Sequence, residues 1–167
     1  TDTITITIVD TTPPSWSNLR VSPPSPATYS PTQVYPFNST WTDNSAMGTV
    51  LLELDGVNYT AWNSGSDYYM TFTGLAAGTH TYAWHGSDTA GNWNTTGPLA
   101  YGVNQATTVL TLTASPGWNV GYGTATSVSC VANNGEVTVQ LTRDATPVAN
   151  PDTGTFAAGS YDYACSA

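Results

Sequence analysis

The first ten residues, TDTITITIVD, alternate without a break. In an extended chain Ile4, Ile6 and Ile8 point to one face, and Thr3, Thr5 and Thr7 to the other. The next residues, Asp10-Thr11-Thr12-Pro13-Pro14, form a stiff linker and offer no partner strand. Beyond it, nearly every apolar run is short and bounded by Gly, Pro, Asn or Asp, and no long helical period occurs. This pattern predicts strands near 16–22, 33–42, 49–54, 57–62, 68–74, 79–86 and 98–104. A second series is expected near 107–114, 125–132, 136–142, 145–148 and 160–166. The chain therefore reads as all-β, with two small cores.

The two series are related. Ala76-Ala77-Gly78-Thr79-His80-Thr81-Tyr82-Ala83-Trp84 repeats as Ala157-Ala158-Gly159-Ser160-Tyr161-Asp162-Tyr163-Ala164-Cys165. Upstream, Val50-Leu51-Leu52-Glu53-Leu54 parallels Val137-Thr138-Val139-Gln140-Leu141. The expected organisation is a free strand over 1–10, a first sandwich over 11–104 and a second over 105–167. After the strand holding Tyr82, the first sandwich continues into Pro98-Leu99-Ala100-Tyr101-Gly102-Val103; after the strand holding Tyr163, the second has no counterpart. A surplus strand and a vacancy point to head-to-tail donation between copies. Ile4, Ile6, Ile8 and Val9 would fill a groove whose candidate residues are Val128, Val137, Val139, Leu141 and Tyr163. Residues 3–9 would span about 23 Å at roughly 3.3 Å per residue. Addition of a strand to a sheet edge is an established recognition mode. Two alternatives stand beside it: residues 1–10 fold back on the first sandwich, or the chain is a piece of a longer repeat protein.

Charge narrows the function. Only 8% of residues are charged and the net charge is −9. The only basic side chains are Arg20 and Arg143. Nothing here could neutralise phosphates, so nucleic acid and anionic membranes are excluded as partners. Without lysine, Schiff-base chemistry and Lys–Asn crosslinks are excluded too. No apolar run is long enough to cross a membrane as a helix, so membrane insertion is not expected. The polar, Thr- and Ser-rich composition suits a cell-surface, extracellular protein.

The segments ITITIVDTTPP and LAAGTHTYAWHGSDTAGNW resemble the immunoglobulin-like repeats of archaeal and bacterial surface proteins. The likeness covers most of residues 1–104 and weakens beyond. The arrangement of the end strands resembles archaeal extracellular filaments assembled by donor-strand complementation, such as threads and bundling pili. These resemblances imply two tandem immunoglobulin-like sandwiches plus an N-terminal donor strand. Sandwiches of this type bridge their sheets with a cysteine pair, with a Tyr two residues before the second. Cys130, Cys165 and Tyr163 match that pattern. A structural disulfide is expected, and with it an oxidising compartment. Ser39 and Trp84 would occupy the corresponding places in the first sandwich.

Three sequons occur, at Asn38, Asn58 and Asn94, all in the first sandwich. N-linked glycans are therefore possible partners. Asp10, Asp43 and Asp88 lie in turns and at the linker, where such repeats sometimes hold Ca²⁺. No DxDxDG loop is present, and an Asx turn at Asp88 or Asn92 explains these residues more simply, so no metal and no cofactor are expected. An enzyme is not expected either. His80 and His85 fall on opposite faces of a strand, and Glu53 and Asp55 flank the Asp55-Gly56 turn as solvated charges. Trp16, Trp62, Trp93 and Trp118 could instead line a carbohydrate-binding face. The favoured expectation is a structural subunit of an extracellular filament or pilus, a homopolymer of this chain. The alternatives are a spacer in a large surface-layer protein or adhesin, and a carbohydrate-binding module.

Overall fold

The computed structural model describes residues 2–167. It is all-β and divides into two units, one ending at Gln105 and the other covering Ala106–Ala167.

The first unit contains β1 (Ser15–Val21), β2 (Ala27–Thr28), β3 (Val34–Thr42), β4 (Met47–Leu54) and β5 (Val57–Thr60). It continues with β6 (Trp62–Ser64), β7 (Asp67–Thr73), β8 (Gly78–Asp88), β9 (Trp93–Thr95) and β10 (Leu99–Asn104). One sheet has the order β1-β3-β7-β6 and the other β2-β10-β8-β4-β5, with β9 paired to β8. The expected single strand over 57–62 is two strands in different sheets. β5 pairs with β4 and β6 with β7, so the chain changes sheet at Ala61. In β1 the register shifts between Ser17 and Arg20, where Asn18 takes a φ of 53°. This bulge turns Val21 toward the core and Arg20 away from it.

Alternation in β3 decides what the sandwich buries. Tyr35, Phe37, Ser39 and Trp41 face inward, with Asn38 and Thr40 between them on the outer face. Phe37 makes edge-to-face contacts with Phe72, Tyr82 and Tyr101, its ring centroid 5.7, 5.0 and 5.8 Å from theirs. Such pairs contribute about 0.5–1.5 kcal/mol each beyond their buried area. Gly86 is required beneath Trp41, because a Cβ there would lie 2.5 Å from the indole ring.

The second unit contains β11 (Leu110–Ser115), β12 (Thr126–Ala132), β13 (Gln140–Arg143), β14 (Thr146–Val148), β15 (Asp152–Gly154) and β16 (Tyr163–Ser166). Its sheets are β11-β12-β15 and β14-β13-β16. The expected strand over 136–142 begins only at Gln140, and the one over 160–166 only at Tyr163. The core is small. Among the described residues, Val128, Cys130 and Leu141 are its buried apolar side chains. Cys130 and Cys165 form a disulfide across the two sheets, with Cα atoms 5.7 Å apart. The Asn150 amide completes the backbone bonding of Cys130, accepting from its N–H at 3.0 Å and donating to its C=O at 2.7 Å.

Candidate strand-acceptor site

The two units repeat one another in bonding, with β13 set two residues away from the sequence match: Leu141 corresponds to Leu52, not to Leu54. Asp55 opens the turn between β4 and β5, and both Asp55 and Gly56 have positive φ. Asp144 and Ala145 do the same between β13 and β14. This turn matches the right-handed twist of the flanking strands. In each unit the turn aspartate then holds the returning strand. The Asp55 carboxylate accepts from Thr81 N–H at 2.9 Å, and the Asp144 carboxylate from Asp162 N–H at 2.9 Å. The reciprocal bonds run from Asp55 N–H to the Thr81 C=O and from Asp144 N–H to the Asp162 C=O. His80 Nε2 lies 2.9 Å from the Ala76 C=O, and Tyr161 donates its hydroxyl to the Ala157 C=O at 3.1 Å. Cross-strand pairs agree: Leu52 faces Trp84 as Leu141 faces Cys165. Thus β16 is the structural counterpart of the middle of β8, with Tyr163 in the place of Tyr82.

The neighbours of these two strands differ. β8 lies between β4 and β10, and β10 delivers Leu99, Tyr101 and Val103 at alternate positions. Tyr101 and Val103 are fully enclosed. β16 pairs with β13 on one side and, among the described residues, with no strand on the other. Beside it lies a groove of about 510 Å³ whose wall includes Ala114, Trp118, Val128, Phe156, Tyr161 and Tyr163. Of the five residues expected to form the groove, only Val128 and Tyr163 line it. Leu141 is sealed in the core beneath, Val139 packs partly buried against that core, and Val137 lies outside it. Both valines precede the start of β13, so the expected alternation does not bring them to the groove.

One polar cluster fixes the aromatic wall. Asp152 of β15 accepts a 2.7 Å hydrogen bond from the Tyr163 hydroxyl and a 2.8 Å bond from Arg143 of β13. The Arg143 guanidinium lies 4.7 Å from the Phe156 ring centre and 5.9 Å from that of Tyr161. The Tyr163 hydrogen bond raises the Arg143 pKa, and burial raises that of Tyr163. The guanidinium therefore stays charged while it holds both sheets and both rings. Trp118, Val120 and Tyr122, on the loop after β11, are exposed around the same groove. The sequence reading does not assign Phe156 or Tyr161 to the groove, although the repeated AAG turn is a signal that points to Tyr161.

The N-terminal segment is the complementary feature. Residues 2–14 form no strand. Ile4, Ile6 and Ile8 are between 82% and 93% exposed, and Val9 is exposed too. The linker is tied to the first unit from Asp10 onward. Asp10 takes a hydrogen bond from Thr12 N–H on its carboxylate, and from the Asn92 side chain on its C=O. The C=O of buried Pro14 accepts from Asn94 Nδ2 at 2.7 Å. Asn94 thus ties the linker to β9 through one of its two side-chain N–H groups. Asn38 and Asn58 keep their amides clear of such contacts.

Asp10, Asp43 and Asp88 offer carboxylate oxygens within 4.8 Å of one another. Their neighbours supply donors: Ser45 N–H bonds Asp43, and Asn92 bonds Asp88 through both its backbone and its side chain. For Asp10 the Thr12 N–H bond holds the pKa below its ordinary 3.8. For Asp88, burial works against the charge, but the Asn92 bonds outweigh it and the pKa is again lowered.

The Asp55 and His80 side chains pair at 2.7 Å. Burial opposes the charged form of both, but their mutual hydrogen bond prevails, lowering the Asp55 pKa and raising that of His80 above 6.5. A raised histidine pKa stabilises the fold fully below 6.5 and loses that contribution as pH rises through the folded value. Asp55→Ala is therefore expected to bring the His80 titration down; the half-exposed pair itself contributes about 1 kcal/mol or less, and the variant also loses the acceptor of Thr81 N–H. An NMR titration of the histidine ring protons checks this; an unchanged His80 midpoint contradicts it. Of the tryptophans considered for sugar binding, Trp62, Trp93 and Trp118 are exposed and Trp16 partly so.

No family model matches the chain, and no curated protein matches it. Among solved structures the chain is similar to the fibronectin(III)-like modules of Clostridium thermocellum CbhA. The TM-score is 0.44 and the identity 13%, over 89% of this chain and 84% of that one. It is also similar to dimeric latent PorU from Porphyromonas gingivalis, with a TM-score of 0.42 and 15% identity. That match covers 93% of this chain and 17% of PorU.

Proposed function

We propose that the chain is the structural subunit of an extracellular filament, joined head to tail by strand donation. Residues 4–8 of one copy occupy the place beside β16 of the next. The observation that carries this is the open flank of β16, whose counterpart β8 has β10 on that side. The spacing of donor and slot agrees. β10 presents Leu99, Tyr101 and Val103 opposite Tyr82, His80 and Gly78. Transferred through the repeat, Ile4, Ile6 and Ile8 stand opposite Tyr163, Tyr161 and Gly159. The three isoleucines then leave water for the groove. That burial contributes roughly 5–9 kcal/mol at about 1.5–3 kcal/mol per side chain. Ladder hydrogen bonds along the open edge add to it.

Such an assembly needs no cofactor and no catalysis, and its partner is another copy of the same chain. The disulfide and the scarcity of charged residues suit life outside the cell. Size-exclusion chromatography with light scattering, run over a range of concentrations, tests the assembly. The expected result is a concentration-dependent ladder at multiples of 17.5 kDa, extending to fibres visible by electron microscopy. A single 17.5 kDa species at every concentration overturns it.

A further inference from the structure

We propose that Asn38 carries an N-linked glycan whose first sugars lie on Tyr69 and Trp62. The register of the four-stranded sheet places Arg20 opposite Asn38, Asn38 opposite Tyr69, and Tyr69 opposite Trp62. Residues paired in an antiparallel sheet project to the same face. The four side chains therefore form one row across β1, β3, β7 and β6, on the face turned away from the core. The rings are open to solvent: Trp62 is 69% exposed and Tyr69 40%. From Asn38 to Trp62 the row spans about 10 Å at roughly 4.8 Å per strand. That length suits the first two rings of a glycan.

The chemistry of the row fits a sugar chain attached at its middle. The C–H faces of pyranose rings stack on aromatic rings, while their hydroxyls seek polar neighbours. Arg20 stands at the other end of the row, and Asp67 and Thr40 form the adjacent pair on the same sheet. Thr40, the third residue of the Asn38-Ser39-Thr40 sequon, donates its hydroxyl to Asp67 at 2.6 Å. Among the described residues the Asn38 amide holds no hydrogen bond, so its nitrogen is free to carry the sugar. The other sequons lack the aromatic track. Asn94 pairs with Gly86 and, beyond it, Val50, which offer no ring. Asn58 is exposed, but the residues in line with it are Glu53 and Ala83, which offer no ring. The single acceptor with an aromatic track is Asn38.

This rests on the proposed export of the chain, which brings it to a glycosylating machinery, and not on strand exchange. The test uses the full chain secreted by an N-glycosylating host, beside Asn38→Gln, Trp62→Ala/Tyr69→Ala and the triple variant. Glycopeptide mass spectrometry is expected to find Asn38 occupied. Loss of the glycan by Asn38→Gln should lower the melting midpoint of the first unit by about 3 °C, the scale of a fraction of a kcal/mol in a domain of this size. In the Trp62→Ala/Tyr69→Ala background the same loss should shift it by less than about 1 °C. Nuclear Overhauser contacts between the protons of the first sugar and the Tyr69 ring give a readout independent of stability. An unoccupied Asn38, equal melting shifts in both backgrounds, or absent ring contacts overturns the proposal. Occupancy of Asn38 is read by mass spectrometry in monomer and filament alike, and the ring contacts are read at concentrations below assembly, so a failure of the filament leaves both intact.

Discussion

Deleting residues 1–10 is expected to yield a monomer at concentrations where the full chain is expected to form a ladder. The deletion removes Ile4, Ile6 and Ile8, which stand exposed on a segment without a strand partner. It leaves unaltered the strands of both units, which begin at Ser15. The truncated chain keeps its open β16 edge, so a synthetic peptide of residues 2–10 should bind there. At about 100 times its Kd the peptide adds about 2.7 kcal/mol to the second unit. In a domain this small, that raises the melting midpoint by about 10 °C or more. A peptide carrying Ile6→Asp should fail, since its central carboxylate would enter an apolar groove without a partner. Native gels and calorimetry read both effects. If the truncated chain assembles like the full one, or the peptide leaves the second unit unchanged, donation is wrong. Once formed, each junction opens only when a whole strand leaves its groove, so the assembly is expected to persist kinetically.

Replacing Cys130 and Cys165 together by alanine is expected to unfold the second unit and leave the first folded. The bridge closes a sequence separation of 35 residues. In the chain-entropy account a loop of that size contributes about 4 kcal/mol. Little else compensates, because Cys130 is itself part of a core otherwise built from Val128 and Leu141. The first unit has no cysteine and instead buries Trp41, Trp84, Tyr35, Tyr101 and Phe37. Hydrogen exchange followed by mass spectrometry should show β11–β16 losing protection while β1–β10 keep theirs. Assembly should fail with it, since the groove belongs to the lost unit. Equal protection in the oxidised and the substituted chain would contradict the expectation.

Local signals and tertiary consequences separate cleanly here. The Thr/Ile alternation announces a strand with one apolar face, since side chains of an extended chain alternate whatever lies around them. The Asp55-Gly56 dipeptide announces a hairpin for a similarly local reason: both residues tolerate positive φ. Its counterpart Asp144-Ala145 carries no such mark, because alanine takes that conformation only when the turn imposes it. The short strands β2, β9 and β15 were not legible either, because two or three residues carry no period. They exist where a neighbouring edge supplies hydrogen bonds.

From the residues alone come the all-β class, the internal repeat, the isoleucine face of 4–8 and the cysteine pair. Each rests on spacing within a segment or on the similarity of two segments. Tertiary structure alone decided which groups meet. It brought Phe156 and Tyr161 to the wall beside Tyr163, stacked under Arg143. It committed Asn94 to the linker while leaving Asn38 beside Tyr69, although the two sequons are equivalent as sequence. The reason is register. Cross-strand pairing joins residues far apart in the chain, and a one-residue bulge such as that at Asn18 reassigns every face beyond it.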